Sequence, residues 1–497
     1  MQGKGGVADG DTMSILTKHR DIDMTEGPLL RKVALFVFPL MVTNLLQMTY
    51  NATDMMVVSL SPNPNAVGGV GTCAAFINLV LNVFIGFSVG ANVTTARFIG
   101  AKDDENTSKT VHTAILLGAL LGLLACVIGQ FASRPILVLM GNDGALLELA
   151  LLYTKIYFFG VPFIAVSNYA ISILRAKGDT RTPLVVLTCT GLLNVALNLF
   201  FVLVLHRSVE GVAIATAAAN AVSATVLLLH LSRDPGPCRF SLKKLRLHKK
   251  SVLGILHIGL PAGLQGALFS ISNMMVQSSV LQVNNATLTE MGYSPAGDVF
   301  QPVVKGNTSS GNLEGFAYTA TNSVAQAAVS FSSQNVGADK PERVWSVMRC
   351  VYFLTFCVAV VVAGSLILFR DFFFSLYGVR AAAEGTLDAV AYNTATRRML
   401  WMLSLYFFLA FMEAGSCTLR GIGYSTASTI SSLTGACLFR VVWLSTVFRA
   451  RPTLDMIYIT YPLSWALTAA ASFTLCVVLL RRMIRKKRQR EARLETS

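Results

Sequence analysis

About twelve runs of roughly twenty mostly apolar residues recur along this chain, each long enough to cross a bilayer as a helix. That feature rules out a water-soluble fold, because no soluble core could hide so much apolar surface. The runs centre near Leu45, Val83, Leu121, Val161, Ala196 and Ala219 in the first half. In the second half they centre near Leu268, Ala325, Val358, Leu405, Ala436 and Ala469. Of 497 residues, 53% are hydrophobic and only 13% charged, against about 25% charged in a soluble domain.

The net charge of +15 does not point to nucleic acid. The basic residues cluster in short segments beside the apolar runs, as the positive-inside rule requires. Arg31 and Lys32 precede the first run, Arg97, Lys102 and Lys109 follow the second, and Arg175, Lys177 and Arg181 follow the fourth. Seven more fill the segment 233–250, and the tail from Arg481 to Arg493 is densely basic. This bias places both termini in the cytoplasm and gives five segments. They are an N-terminal tail (1–30), a first lobe (31–232), a basic linker (233–250), a second lobe (251–480) and a basic tail (481–497). The first thirty residues lack a signal-peptide layout and read as a loosely ordered leader. The basic linker either meets anionic lipid headgroups or serves only to set topology. The longest outside loop is expected over residues 284–312, with sequons at Asn285 and Asn307. The nine cysteines lie mostly within apolar runs without Cys-x-x-Cys spacing, which argues against a disulfide framework or zinc site.

The two halves repeat each other. Pro39 and Pro261 open the first and seventh runs, and Asn51 and Asn273 each follow twelve residues later. Gly100-Ala101 and Gly337-Ala338 end the second and eighth runs. Leu174-Arg175-x-x-Gly178 and Leu419-Arg420-x-x-Gly423 end the fourth and tenth. These pairs keep their order at separations of 222, 237 and 245 residues, which marks an internal repeat. Six helices return the chain to its starting side, so the repeat is parallel about an axis along the membrane normal. The expected fold is an all-α membrane protein of twelve transmembrane helices in two pseudo-symmetric six-helix lobes.

Polar residues at membrane depth mark candidate sites. Asn44, Gln47, Asn51 and Asp54 are spaced to share one face of the first helix. A carboxylate at the helix centre costs roughly 2.5–3.5 kcal/mol to insert, so Asp54 either binds a cation, carries a proton or lies at the outer boundary in contact with water. Amides recur one turn apart at Asn78/Asn82, Asn194/Asn198 and Asn322/Gln326, with Gln265, Asn273 and Gln277 on the seventh helix. They suggest a shared polar cavity. Glu413 in the tenth run is the second half's buried carboxylate, and Arg440 in the eleventh is its candidate partner. There is no His-Glu-x-x-His, Gly-x-Ser-x-Gly or phosphate-loop motif, so an enzyme is not expected.

The chain resembles the multidrug and toxic compound extrusion (MATE) family of secondary transporters over about residues 30–480. The resemblance rests on Phe38-Pro39 through Asp54, Leu174 through Pro183 with its Gly-Asp-Thr-Arg-Thr-Pro segment, Gly259-Leu260-Pro261-Ala262, Gln334 through Ala338, and Leu419 through Gly423. It implies two six-helix lobes in a V. It also implies export of organic, cationic or amphipathic compounds by exchange for H⁺ or Na⁺. The prokaryotic cation site falls on Asp54, Asn194, Asn198 and Thr216, and Gln47 falls on a cavity-lining position. Asn198 stands where that site has a second Asp, which leaves the coupling ion open. The cavity set is Asn44, Gln47, Asn51 and Glu413, and any metal is Na⁺ at Asp54. The resemblance implies no cofactor beyond the coupling ion. The expected partners are a small organic substrate and membrane lipids, not nucleic acid, with the chain acting as a monomer in the cell membrane. A flippase for a lipid-linked saccharide from the same superfamily is the alternative.

Overall fold

The structure, a computed structural model, describes residues 21–61, 66–140, 144–294 and 300–495. The first half contains α1 (Leu29–Ser59), α2 (Ala66–Gly100), α3 (Asp104–Leu139), α4 (Gly144–Lys177), α5 (Arg181–Leu199) and α6 (Val209–Ser232). A π-helical turn, Phe200–Val204, continues α5. Between α6 and the next long helix lies only a short 3₁₀ turn, Leu242–Lys244. The second half begins with α7 (Lys249–Glu290), α8 (Pro302–Gly337) and α9 (Pro341–Leu368), followed by the short α10 (Arg370–Leu376). Next come α11 (Leu387–Leu403) and α12 (Tyr406–Gly421). Then α13 (Ser425–Ser432) and α14 (Phe439–Trp443) alternate with π-helical stretches Leu433–Leu438 and Leu444–Phe448 to make one rod. Last are α15 (Leu454–Tyr458) and α16 (Thr460–Glu495).

Among the described residues ten helices are long and apolar enough to cross a membrane, and α11 with α12, bent by 49°, makes an eleventh. The 36-residue α8 is also of spanning length but carries serine, threonine, asparagine and glutamine along most of it. Its polar side chains are buried between the halves rather than offered to lipid: Ser323, Ser330, Ser332, Ser333, Gln334 and Asn335 are all buried. The protein is an all-helical, multi-pass membrane protein.

The repeated motifs sit at helix ends, and their geometry explains the repetition. Gly178 and Gly423 both have left-handed backbones, with φ of 105° and 92°. The following amides, of Asp179 and Tyr424, donate back to the Leu174 and Leu419 carbonyls at 2.9 and 2.8 Å. This closes the helix in a Schellman cap, which needs glycine because a Cβ disfavours φ > 0. Gly100 and Gly337 serve a different need. A Cβ on Gly100 would overlap the Gln334 carbonyl, and one on Gly337 would overlap the Arg97 carbonyl. The contact is reciprocal, as a two-fold relation between the halves demands. Cross-lobe bonds repeat it: Arg97 Nη2 donates to Ile422 O at 2.6 Å, and Gln334 Nε2 donates to Ala176 O at 2.7 Å. Each lobe thus satisfies a helix-end carbonyl of the other.

The structure corrects two sequence expectations here. Residues 21–28 are not loosely held. Met24 is fully buried, and its carbonyl accepts from Asn335 Nδ2 at 3.0 Å. The Gly27 carbonyl accepts from Arg343 Nη2 at 2.7 Å, and Asp21 pairs with Lys177 at 3.0 Å. The segment straps the end of α4 to the start of α9. Residues 1–20 lie outside the described residues. The expected long loop over 284–312 is mostly helix, because α7 runs to Glu290 and α8 starts at Pro302. Both sequons are therefore helical, and Asn307 is buried against Arg398.

Candidate functional site

Two polar centres lie inside the bundle. The first is in the N-terminal half, where α1, α5 and α6 meet. Asn198 Nδ2 donates to Asp54 Oδ1 at 2.5 Å and to Asn194 Oδ1 at 3.3 Å. Asn194 Nδ2 in turn donates to Thr216 Oγ1 at 3.3 Å. The four residues assigned to a cation site thus form one hydrogen-bonded chain across three helices. Asn198 is fully buried, and its Oδ1 has no hydrogen-bond partner among the described residues. An orphaned buried acceptor costs about 1–3 kcal/mol. Here it lies beside a carboxylate, so the centre presents oxygens that a cation or proton would satisfy. Two residues missed from the sequence flank it: Tyr153 and Tyr157, with rings 5.9 Å apart, are within electrostatic reach of Asp54. Their apolar helix gave no signal of this.

The second centre is a cavity of about 690 Å³ between the halves, within the size range of small-molecule sites. Asn82, Gln265, Asn273, Gln277, Asn322 and Gln326 line it, which gathers most of the amides singled out in the sequence. Glu413 also lines it and accepts from Asn322 Nδ2 at 3.3 Å. Gln326 Nε2 donates to Asn322 Oδ1 at 2.6 Å, and Arg175 Nη1 to Gln326 Oε1 at 3.0 Å. This relay runs from the end of α4 in one half to α12 in the other.

Two residues expected in the cavity, Asn44 and Gln47, are not among those that line this one. Asn44 donates to Ser323 Oγ on α8 at 2.9 Å, and Gln47 is exposed. The side chain of Asn51 lies outside the described residues. Asn44 and Asp54 lie on one helical face but about 15 Å apart along the axis. The face therefore meets α8 at one end and α5 at the other. Arg440 does not pair with Glu413. Its Nε donates to Ser464 Oγ at 3.1 Å, its Nη1 to Asn273 Oδ1 at 3.4 Å, and its guanidinium lies 4.3 Å over Tyr461.

Sequence reading also missed an ion pair between buried Arg398 and partly buried Glu314, Nη2 to Oε2 at 2.6 Å, on the cavity wall. Glu314 was hidden by its nearness to the expected loop. Among the described residues the cavity lining holds four arginines (Arg175, Arg398, Arg420 and Arg440) and two glutamates (Glu314 and Glu413). Its formal balance is therefore +2.

The MatE family model matches residues 39–200 and 304–444, one stretch in each half and together more than half of the chain. The chain belongs to the MATE family of transporters. It is not an enzyme. Among MATE relatives, the probable multidrug resistance protein YoeA of Bacillus subtilis is 26% identical over 414 residues, covering 81% of this chain and 83% of that protein. The multidrug export protein MepA of Staphylococcus aureus is 21% identical over 269 residues, where the match spans 60% of MepA. An outward-facing multidrug resistance MATE transporter superposes with a TM-score of 0.83 at 20% identity, over 94% of this chain and 99% of that one. A MOP superfamily transporter from Pyrococcus furiosus, described as having a binding pocket of reversed polarity, superposes with a TM-score of 0.82 at 21% identity, with the same coverage. These superpositions establish that this MATE chain has the fold of the solved transporters.

Proposed function

We propose that the protein is a secondary active exporter that moves small organic compounds out of the cell in exchange for H⁺ or Na⁺. The observation that carries this reading is the Asp54–Asn198–Asn194–Thr216 chain with its unpartnered Asn198 Oδ1. A carboxylate with neighbouring oxygens suits a hard monovalent cation or a proton, not an organic ligand. The cavity is separate from it and of drug-like size. An ion at the first centre and a substrate at the second favour opposite arrangements of the two lobes, so each promotes release of the other. The named relatives include a multidrug export protein, which supports the same direction of transport. The lobes are in contact at the Gly100–Gln334 and Gly337–Arg97 crossings and along α2 against α7 at Gly86–Gly263 and Gly90–Ile255, and alternating access must loosen these contacts. The basic clusters support a cytoplasmic position for both termini and for this end, and the reading takes the protein to act as a monomer.

Proteoliposomes loaded with a transported dye test this. Wild-type protein is expected to export against an imposed H⁺ or Na⁺ gradient, and Asp54→Asn to lose at least about tenfold of the gradient-driven rate. Full gradient-driven transport by Asp54→Asn defeats the reading. A second reading, a flippase for a lipid-linked saccharide, is favoured by one observation, the four arginines on the cavity wall, which suit a diphosphate. Movement of a lipid-linked saccharide rather than a soluble dye in the same vesicles selects it.

A further inference from the structure

We infer that the cavity recognises its substrate by an anionic group, a carboxylate or phosphate on an aromatic or aliphatic body, and that Arg440 is the residue that binds it. The inference rests on the transport reading above and names the substrate class of that cavity.

Charge is the first support. Of the four lining arginines, only Arg398 has a carboxylate within ion-pair distance among the described residues, and that carboxylate, Glu314, is already engaged. Arg175 and Arg420 donate to the amide oxygens of Gln326 and Gln265, each at 3.0 Å, and Glu413 is within electrostatic reach of Arg420 but not within ion-pair distance of it. An organic cation entering here meets three guanidinium groups that no acidic side chain directly pairs. An anion meets a site already built for it.

Arg440 is the best placed of the three. It is 3% exposed, deep in a membrane-spanning rod. Ser464 and Asn273 accept from its Nε and Nη1, and Tyr461 holds its planar face, while Nη2 has no acceptor among the described residues. A buried cation held only by neutral groups is costly at this depth, and an anionic ligand offsets that cost. Because three contacts already fix the guanidinium, little side-chain freedom is lost when an anion arrives. Phe269, Tyr318 and Trp465 supply aromatic wall for the rest of the ligand. The backbone is also unusual there. α14 is a five-residue α-helical segment between two π-helical stretches, and π-turns within α-helices occur frequently at functional sites.

Two dyes that share a xanthene frame and differ in charge provide the test: fluorescein, an anion, and rhodamine 6G, a cation. Binding of each to the purified full-length protein is measured by fluorescence polarisation at low and high salt. The wild type is expected to bind fluorescein at least about tenfold more tightly than rhodamine 6G, with the preference shrinking in high salt. Arg440→Gln is expected to weaken fluorescein at least about tenfold without weakening rhodamine 6G, and Arg440→Lys to keep part of the affinity. Tighter binding of rhodamine 6G by the wild type overturns the inference, and so does unchanged fluorescein binding by a monodisperse Arg440→Gln. If Arg440→Gln does not fold, the wild-type dye pair decides alone. Displacement of fluorescein by a polyprenyl diphosphate keeps the anion site and assigns it to a lipid-linked occupant. Displacement by benzoate assigns it to a soluble one. In proteoliposomes, failure of both dyes to move under any gradient, with fluorescein still bound, defeats the transport reading but not the anion site. Export of rhodamine 6G alone does the reverse.

Discussion

Helix α5 and the rod Ser425–Phe448 occupy equivalent places in the order of the two halves, and they carry opposite chemistry. On α5, Asn194 and Asn198 stand just before the π-helical turn Phe200–Val204. On the rod, Arg440 stands just before the π-helical turn Leu444–Phe448. The two turns begin at residues 200 and 444, within one residue of the 245-residue separation between Arg175 and Arg420. The backbone device is the same, yet one span gathers oxygens around Asp54 and the other holds a guanidinium against Tyr461. The repeat therefore supplies a frame of helix ends, caps and crossings. On the proposed reading, the side chains set on that frame divide the work between an ion centre in one half and a substrate cavity lined largely by the other.

The largest test of this contrast removes the cavity's engaged carboxylate. Glu314→Gln strands Arg398, which is buried and donates to Glu314 and to the Asn307 carbonyl. Breaking a buried pair on one side typically costs about 3–5 kcal/mol. Thermal unfolding in detergent is expected to show a loss of that order, with much of it recovered when Arg398→Met is added. If Glu314→Gln is as stable as wild type, the pair is not what organises that wall. The next test touches the frame both halves share. Gly337→Ala forces a methyl group into the Arg97 carbonyl, and overpacking of this kind costs about 1–3 kcal/mol. Gly100→Ala should cost a similar amount, because its Cβ meets the Gln334 carbonyl in the reciprocal position. Unequal losses would show that the crossing is not two-fold in its energetics. The smallest expected effect deepens the contrast itself. Asn198→Asp adds a second carboxylate beside Asp54, and calorimetry should show Na⁺ or H⁺ binding tightened about tenfold, or about 1.4 kcal/mol. No change places residue 198 outside the ion centre.

Much of the fold was legible in the sequence because the bilayer imposes a length and an apolarity that few side chains can disguise. The repeated motifs were legible because each answers a local need, a left-handed cap at Gly178 and Gly423 or a backbone crossing at Gly100 and Gly337. α8 was the weak point. Its polar face is buried against α1, α2, α11 and α12, so its first turns read as loop, and Glu314 was overlooked with them. The pairing of Arg398 with Glu314 joins residues 84 apart on different helices, a distance no periodicity reports. The Asp54 cluster was named from family resemblance, not spacing, and the hydrogen bonds bring those four residues together. The face shared by Asn44, Gln47 and Asp54 was geometrically sound, but a long helix presents one face to several neighbours.

The proposed division of labour between the two centres is tested most directly by one crossed experiment on the purified full-length protein. Wild type, Asp54→Asn and Arg440→Gln are each titrated with Na⁺ or H⁺ and with fluorescein, following thermal stability. The account predicts that Asp54→Asn loses the ion-dependent shift and keeps the fluorescein shift, while Arg440→Gln does the opposite. If either substitution removes both shifts in a protein that remains folded and monodisperse, or neither removes its own, then ion and substrate do not occupy the separate centres described.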